Sequence, residues 1–371
     1  MMDDKAWWVA LHLVPGVGRI TFKKLVVYFG HPREVLRATL GQLTRVSGIG
    51  PKIAQDIVRF QAATEVEREL RAVERHGCHV VTQADAGYPA LLKGIEDPPP
   101  VLYVKGALGD PAVPTVAVVG SRRPATYGKV VAEQLARELS ERGVTVVSGL
   151  ARGIDSTAHL GALKGGGETI AVLGCGLSSM YPLENRALAE RISRQGAVVS
   201  EFPMAAKPER LNFPLRNRII SGLSLGTVVV EAGERSGALI TAQWALEQGR
   251  EVFAVPGNVT APTSRGTNRL IKMGAKLVES VEDILEELPQ YALGPRQATA
   301  PRQEALGFQA DITPDEARIL ALLDPVEERH IDWIIERSHL PTGSVSSLLL
   351  KLELEGRVTQ LPGKVFLKAL R

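Results

Sequence analysis

Between positions 112 and 290 the chain alternates short, mostly apolar runs with longer amphipathic stretches. The apolar runs lie at 116–119, 144–147, 169–173, 197–200, 227–231, 252–254 and 276–278. They show no apolar-polar alternation, and such runs predict strands buried on both faces. Between them, stretches such as 127–142, 184–195 and 238–248 repeat apolar positions at helical spacing. Strand and helix taking turns in this way predict an α/β fold, a doubly wound parallel sheet of Rossmann type, over residues 85–290.

The flanks are patterned differently. Residues 1–84 read as a helical domain with two glycine hairpins, "LVPGVGRITFKKLVVYFG" from Leu13 and "LTRVSGIGPKIAQDIVRF" from Leu43. The second resembles a helix-hairpin-helix. In that motif a turn such as Gly48-Ile49-Gly50 lets backbone N–H groups approach a DNA phosphate, and the next helix adds its dipole. Lys24 and Lys52 flank it; the alternative is a packing domain that keeps only the turn. Residues 85–110 contain Pro98, Pro99 and Pro100, which enforce extended backbone and read as a covering segment that leads into the sheet. Residues 291–310 lack periodicity and read as a linker. Residues 311–371 show three amphipathic helices and then two short strands around Leu361-Pro362-Gly363, the order of a winged helix. Its third helix, at 343–354, offers Ser344, Ser346, Ser347 and Lys351 but no arginine.

Composition narrows the function classes. The 371 residues are 44% hydrophobic and 23% charged, as in soluble globular proteins, with room for two or three domains. The net charge of +3 is spread thinly: +2 over residues 1–111, +2 over 112–290, +1 over 291–310 and −2 over 311–371. A nucleic-acid site must therefore be a local cluster. Cys78 and Cys175 stand in no C-x-x-C or Cys/His pattern, so neither structural zinc nor a disulfide framework is expected. No apolar stretch is long enough for a membrane span, and the start "MMDDKAWWVALHL" is not a signal peptide, so a cytoplasmic protein without a membrane partner is expected.

Ligands of open parallel sheets bind beyond the carboxyl ends of the strands. After the first strand stand Gly120, Ser121, Arg122 and Arg123; after the second, Gly149, Arg152, Gly153, Asp155 and His159. Next come Gly174, Gly176, Tyr181 and Pro182, then Lys207, Arg210, Phe213, Arg216, Asn217 and Arg218. Glu231, Arg235, Ser236 and Gly237 follow the fifth strand, and Gly257 and Asn258 the sixth. Glycines admit backbone amides to an anion, arginines fork onto phosphate oxygens, and Tyr181 and Phe213 offer faces for bases. The combination suits a phosphodiester strand better than a lone cofactor. A Walker A loop fails, because Arg123 stands where the first glycine before Gly128-Lys129 belongs; a dinucleotide loop fails, because the first turn holds only Gly120. Asp155 and His159 are either a catalytic or metal pair or, more simply, a turn brace with its packing neighbour. Glu231 either polarises a water or holds loop amides. No cofactor is expected. The DNA-binding candidates are Gly120, Ser121, Arg122, Arg123, Gly149, Arg152, Gly174, Gly176, Tyr181, Lys207, Phe213, Arg216 and Asn217.

Six blocks carry a resemblance: "VAVVGSRRPATYG", "SGLARGIDSTAH", "TIAVLGCGLSSMYPLENRAL", "FPLRNRIISGLS", "VVVEAGERSGALITAQWALEQGREVFAVPG" and "GTNRLIKMGAKLVES". In this order they closely resemble the DNA-processing protein DprA family, also called Smf. The resemblance implies a helical domain like a SAM fold, an extended Rossmann domain and a small winged helix. It also implies a non-enzymatic single-stranded DNA binder that dimerises through the Rossmann domain, displaces single-strand-binding protein, protects incoming DNA and loads RecA recombinase during natural transformation. It makes Gly120, Ser121 and Arg122 the phosphate turn of the family pocket, completed by Phe213 and by Lys207 or Arg216. Two rivals remain. One is a nucleotide N-glycosidase, although "SLGTVVVEAGE" lacks the paired glycines of P-G-G-x-G-T-x-x-E. The other is a duplex-DNA regulator acting through the winged helix, against which the acidic balance of residues 311–371 argues.

Overall fold

The computed structural model describes residues 3–288, 313–324, 327–354, 357–361 and 363–369, so the linker expected at 291–310 lies outside the described residues. Six helices come first: α1 (Asp4–Leu13), α2 (Arg19–Phe29), α3 (Pro32–Arg37), α4 (Leu40–Leu43), α5 (Pro51–Arg59) and α6 (Ala62–Arg75). Asp3 caps α1 by accepting from the Ala6 N–H. The two hairpins turn through Gly16 and Gly48, at φ +80° and +87°, a backbone region that favours glycine. Trp8 stacks on Phe22, and Leu11, Leu25, Leu43 and Ile57 fill the centre of the helical bundle.

Among the described residues nine strands form one sheet in the order β1-β2-β6-β5-β4-β3-β7-β8-β9. They are β1 (His79–Thr82), β2 (Val101–Gly106), β3 (Thr115–Val119), β4 (Thr145–Ser148), β5 (Thr169–Val172), β6 (Gly196–Ser200), β7 (Gly226–Val229), β8 (Glu251–Ala254) and β9 (Lys276–Leu277). The seven from β3 to β9 are parallel and match the seven apolar runs, with Val116 opposite both Val146 and Gly226. Residues 85–110 correct the expectation of a mere cover. They contain α7 (Ala90–Lys93) and β2, which pairs antiparallel with β6 and with β1 and extends the sheet. The run Val101-Leu102-Tyr103-Val104 is wholly buried, so it behaves as a core strand behind its proline leader.

Helices cover both faces. On one lie α7, α11 (Asn212–Gly222) and α12 (Gly237–Glu247), packed on Ala117, Val119 and Val147. On the other, α8 (Thr126–Glu141), α9 (Ile154–Lys164) and α14 (Glu282–Leu285) pack on Val116, Val118 and Val228. The same face continues to Tyr103, Ala171 and Val198, where α10 (Arg186–Ile192) and the helical bundle share one core. The helix read at 184–195 is shorter, because a 3₁₀ turn at Leu183–Asn185 precedes α10. The remaining helix, α13 (Arg265–Lys272), precedes the edge strand β9.

The C-terminal part folds on its own core of Ile319, Ile334, Val345, Leu349 and Phe366. Helices α15 (Pro314–Leu322), α16 (Ile331–Ser338) and α17 (Thr342–Leu354) pack with an antiparallel sheet β10-β12-β11, made of β10 (Arg329–His330), β11 (Val358–Leu361) and β12 (Val365–Lys368). This is the winged-helix order read from the sequence.

Candidate functional site

The strand order reverses at β3, which lies between β4 and β7. Connections leave β4 and β7 toward opposite faces there, and a crevice opens beyond the strand ends. The loop after β3 is drawn tight: a Cβ on Gly120 would lie 2.6 Å from Ile154 and 3.0 Å from the Glu231 carbonyl. The Ser121 N–H donates to that carbonyl at 2.7 Å, and the Arg123 N–H donates to the Ser121 hydroxyl at 3.1 Å.

Two cavities meet over this loop. The larger, about 720 Å³, is lined by Gly120, Ser121, Arg122, Arg123, Phe213 and Asn217 on one side and by Arg235, Ser236, Gly237 and Thr263 on the other. The smaller, about 220 Å³, lies between Arg122, Arg152, Tyr181, Pro182 and Phe213. Phe213 and Arg122 border both. The Arg122 guanidinium stands 5.6 Å over the Phe213 ring, and the Tyr181 ring is tilted against Phe213 at 5.9 Å. Among the described residues Arg122, Arg123 and Arg235 are exposed and enter no salt bridge, so their charge is open to an anion.

The other candidates divide by location. Asn217 lines the larger cavity. Arg152 is at the mouth of the smaller one, with its guanidinium on both oxygens of Glu184 at 2.5 and 2.7 Å. Arg216 is 3% exposed. It donates to the Gly149 carbonyl at 2.8 Å and to that of Val172, and burial lowers its pKa to about 10, so it is still charged at neutral pH. It braces the ends of β4 and β5, and its buried side chain lines both cavities. Gly149 lines the smaller cavity and is packed against Arg216, since a Cβ there would lie 2.7 Å from both Arg216 and Asp155. Gly174 and Gly176 line neither cavity. A Cβ on Gly174 would lie 2.8 Å from the Phe213 ring, and one on Gly176 would collide with the carbonyls of Pro203 and Met204. These two glycines let chain segments pack. Lys207 is exposed and lines neither cavity.

The candidate set omits Arg235, Ser236, Gly237 and Thr263. The first three sat on the rim in the sequence as a strand-to-helix junction; Ser236 caps α12 by accepting from the Ala238 N–H, and this directs the helix N-terminus at the larger cavity. Thr263 carried no local signal.

The titratable groups act as braces. The Glu231 carboxylate accepts from the Ala125 N–H at 3.1 and 3.2 Å; burial, chiefly, raises its pKa. It pins the loop that carries Arg122 and Arg123. Asp155 is buried, accepts from the Ala151 N–H at 3.4 Å and is likewise raised by burial against the pull of Arg216. The Thr169 hydroxyl donates to the Val146 carbonyl, so it accepts from the His159 Nδ1–H at 2.7 Å. Burial lowers the His159 pKa to about 3 and holds the ring neutral. Among the described residues no group of three His, Cys, Asp or Glu side chains is placed to hold a metal ion, and no helix is long and apolar enough to cross a membrane.

Residues 79–289 match the family model described as DNA recombination-mediator protein A, residues 297–364 the DprA winged helix domain, and residues 8–69 a helix-hairpin-helix motif. The chain is similar to the Smf protein of Synechocystis, at 36% identity over 97% of this chain and 98% of that one. Its fold is similar to the DNA processing protein A of Streptococcus pneumoniae, with a TM-score of 0.69 and 35% identity over 78% of this chain and 99% of that one. It is also similar to the DNA processing protein A of Helicobacter pylori, solved to describe a single-stranded DNA binding mode, with a TM-score of 0.50 and 30% identity over 56% of this chain and 94% of that one. A glycine turn and unpaired arginines at the switch point of an extended Rossmann sheet, together with these matches along nearly the whole chain, place it in one group: the chain belongs to the DNA recombination-mediator protein A family, also called DprA or Smf.

Proposed function

We propose that the protein binds single-stranded DNA in the paired cavities at the β3 switch point. The observation that carries this reading is the convergence of unpaired Arg122, Arg123 and Arg235 on a cavity with Phe213 behind Arg122. The backbone phosphates lie against the arginines and the Gly120 turn, and unstacked bases lie against Phe213 and Tyr181. A concave site of this size admits a flexible strand; a duplex needs a broad basic face, which the charge distribution does not supply. Through that activity the protein protects incoming DNA, displaces single-strand-binding protein and loads RecA recombinase during natural transformation and recombination. It does so in the cytoplasm, as a homodimer through the sheet domain and without catalysis. Glu231, the carboxylate an N-glycosidase would need, is engaged by Ala125, which disfavours that rival. The winged helix places Lys351 on the Glu316 carboxylate, which disfavours duplex reading by α17.

Replacing Arg122 with Ala weakens binding of a labelled oligo-dT by about 1–3 kcal/mol, the cost of a charge-assisted contact left unmade. Adding Arg235→Ala weakens it further. Fluorescence anisotropy reads both; affinities equal to wild type would place the strand elsewhere.

A further inference from the structure

Residues 201–211 connect β6 to α11, carry Lys207 and deliver Phe213 to the cavities. The helical domain reaches this segment directly at Met204 and, through Asp97, the helix that follows it. At Met204, Glu69 on α6 accepts a hydrogen bond from the backbone N–H at 2.6 Å, and the Met204 side chain is fully buried in the core shared with α1 and α6. On its other side the Ser178 N–H donates to the Met204 carbonyl at 3.1 Å, and the Gly176 N–H donates to the Ala206 carbonyl at 2.9 Å. Met204 is thus clamped between α6 and the turn of Gly174 and Gly176, and Gly174 packs directly on the Phe213 ring. At the helix that follows, Arg19 on α2 pairs with Asp97, and Asp97 pairs with Arg218 of α11 at 3.1 Å. Arg218 is fully buried and grips both oxygens of Glu201 at 2.6 and 2.8 Å.

Glu69 is half-buried on α6. Its carboxylate stands beside the buried Tyr103 phenol, whose pKa is raised first by burial and then by that charge. What Glu69 supplies, and an apolar residue does not, is a fixed acceptor for one backbone N–H.

We propose that Glu69 is a positioning residue for the DNA pocket. From the helical domain it fixes Met204, and through Met204 and the Gly174 turn it fixes where Phe213 stands. The helical domain is then a structural part of the binding site on the sheet domain. This inference rests on the pocket reading above.

The test is oligo-dT anisotropy on the full chain with Glu69→Ala, Glu69→Gln, Phe213→Ala and the Glu69→Ala/Phe213→Ala double variant, each melted to confirm folding. Gln keeps an oxygen that accepts the Met204 N–H. Glu69→Ala should lose about fivefold in affinity, Glu69→Gln less than about twofold, and Glu69→Ala almost nothing more once Phe213 is gone, because coupled residues are non-additive. Wild-type affinity in Glu69→Ala while Phe213→Ala binds weakly would overturn the positioning role. So would the same fivefold loss with and without Phe213. If Phe213→Ala itself binds as wild type, Phe213 is no part of the binding site and this inference falls, whereas the pocket reading is tested by Arg122→Ala and Arg235→Ala. Should Glu69→Ala not fold, Glu69→Met, which fills the space but offers the Met204 N–H no acceptor, takes its place; it is expected to weaken binding only while Phe213 is present, and no loss would overturn the proposal.

Discussion

At the scale of single residues, the division of labour among the arginines decides the chemistry. Arg122, Arg123 and Arg235 are exposed and outside any salt bridge, whereas Arg216 and Arg218 are buried and spent on carbonyls and carboxylates. In the sequence all five look alike, because burial depends on strands that meet only in the folded sheet. Phe213 is the residue whose role the sequence left most open, and its place under Arg122 and beside Tyr181 suits it to be the stacking face of the proposed site. Phe213→Ala should therefore cost about 1–3 kcal/mol in oligo-dT affinity, the usual worth of a base stacked on an aromatic ring. An isothermal titration showing no loss would return Phe213 to the core. His159 gives a pH prediction. Its folded pKa, about 3, is below the unfolded 6.5, so only the unfolded chain takes up its proton in between. The stability it contributes is whole above pH 6.5 and falls as the pH drops toward 3, by up to about 1.4 kcal/mol per unit. Denaturant melts at pH 7.5, 6 and 5 should show a shallower loss in His159→Gln than in wild type; parallel losses would contradict the neutral ring.

At the scale of elements, the parallel core was legible because its strands are pure apolar runs and its helices keep their period. The antiparallel additions were not. β1 is short and ends the helical region, and the proline leader of β2 reads as loop until β6 is seen to offer an open edge. The Gly120 turn was legible as a tight glycine loop at the end of the first parallel strand. Gly174 and Gly176 have the same composition and pack against Phe213 and Met204 instead, a difference set by partners more than 25 positions away. Gly176→Ala should therefore lower the thermal midpoint and disturb the 201–211 segment, since a methyl group cannot coexist with the Pro203 and Met204 carbonyls. A variant that melts with wild type and binds normally would show that this approach is slack.

At the scale of the whole molecule, the helical bundle and the sheet share a core and a chain of ion pairs that runs from half-buried Arg19 to buried Arg218, while the winged helix has a core of its own. The two flanking domains should respond differently to removal. A chain ending at residue 290 is expected to bind oligo-dT within about twofold of the full protein, since no described residue of the acidic winged helix lines the two cavities. Loss of all DNA binding on that truncation, read by the same anisotropy titration, would move the site to the winged helix.

The most direct measurement is a competition between oligo-dT and a duplex of matched length across a salt series, with wild type and Arg122→Ala side by side. A strand held by phosphates at the Gly120 turn should bind more tightly than duplex at every salt, weaken steeply as salt rises, and show a shallower salt slope in Arg122→Ala, by about 0.7 for one phosphate contact removed from a single strand. Duplex binding equal to or tighter than that of the single strand, with a slope indifferent to Arg122, would contradict a single-stranded DNA site at the β3 switch point.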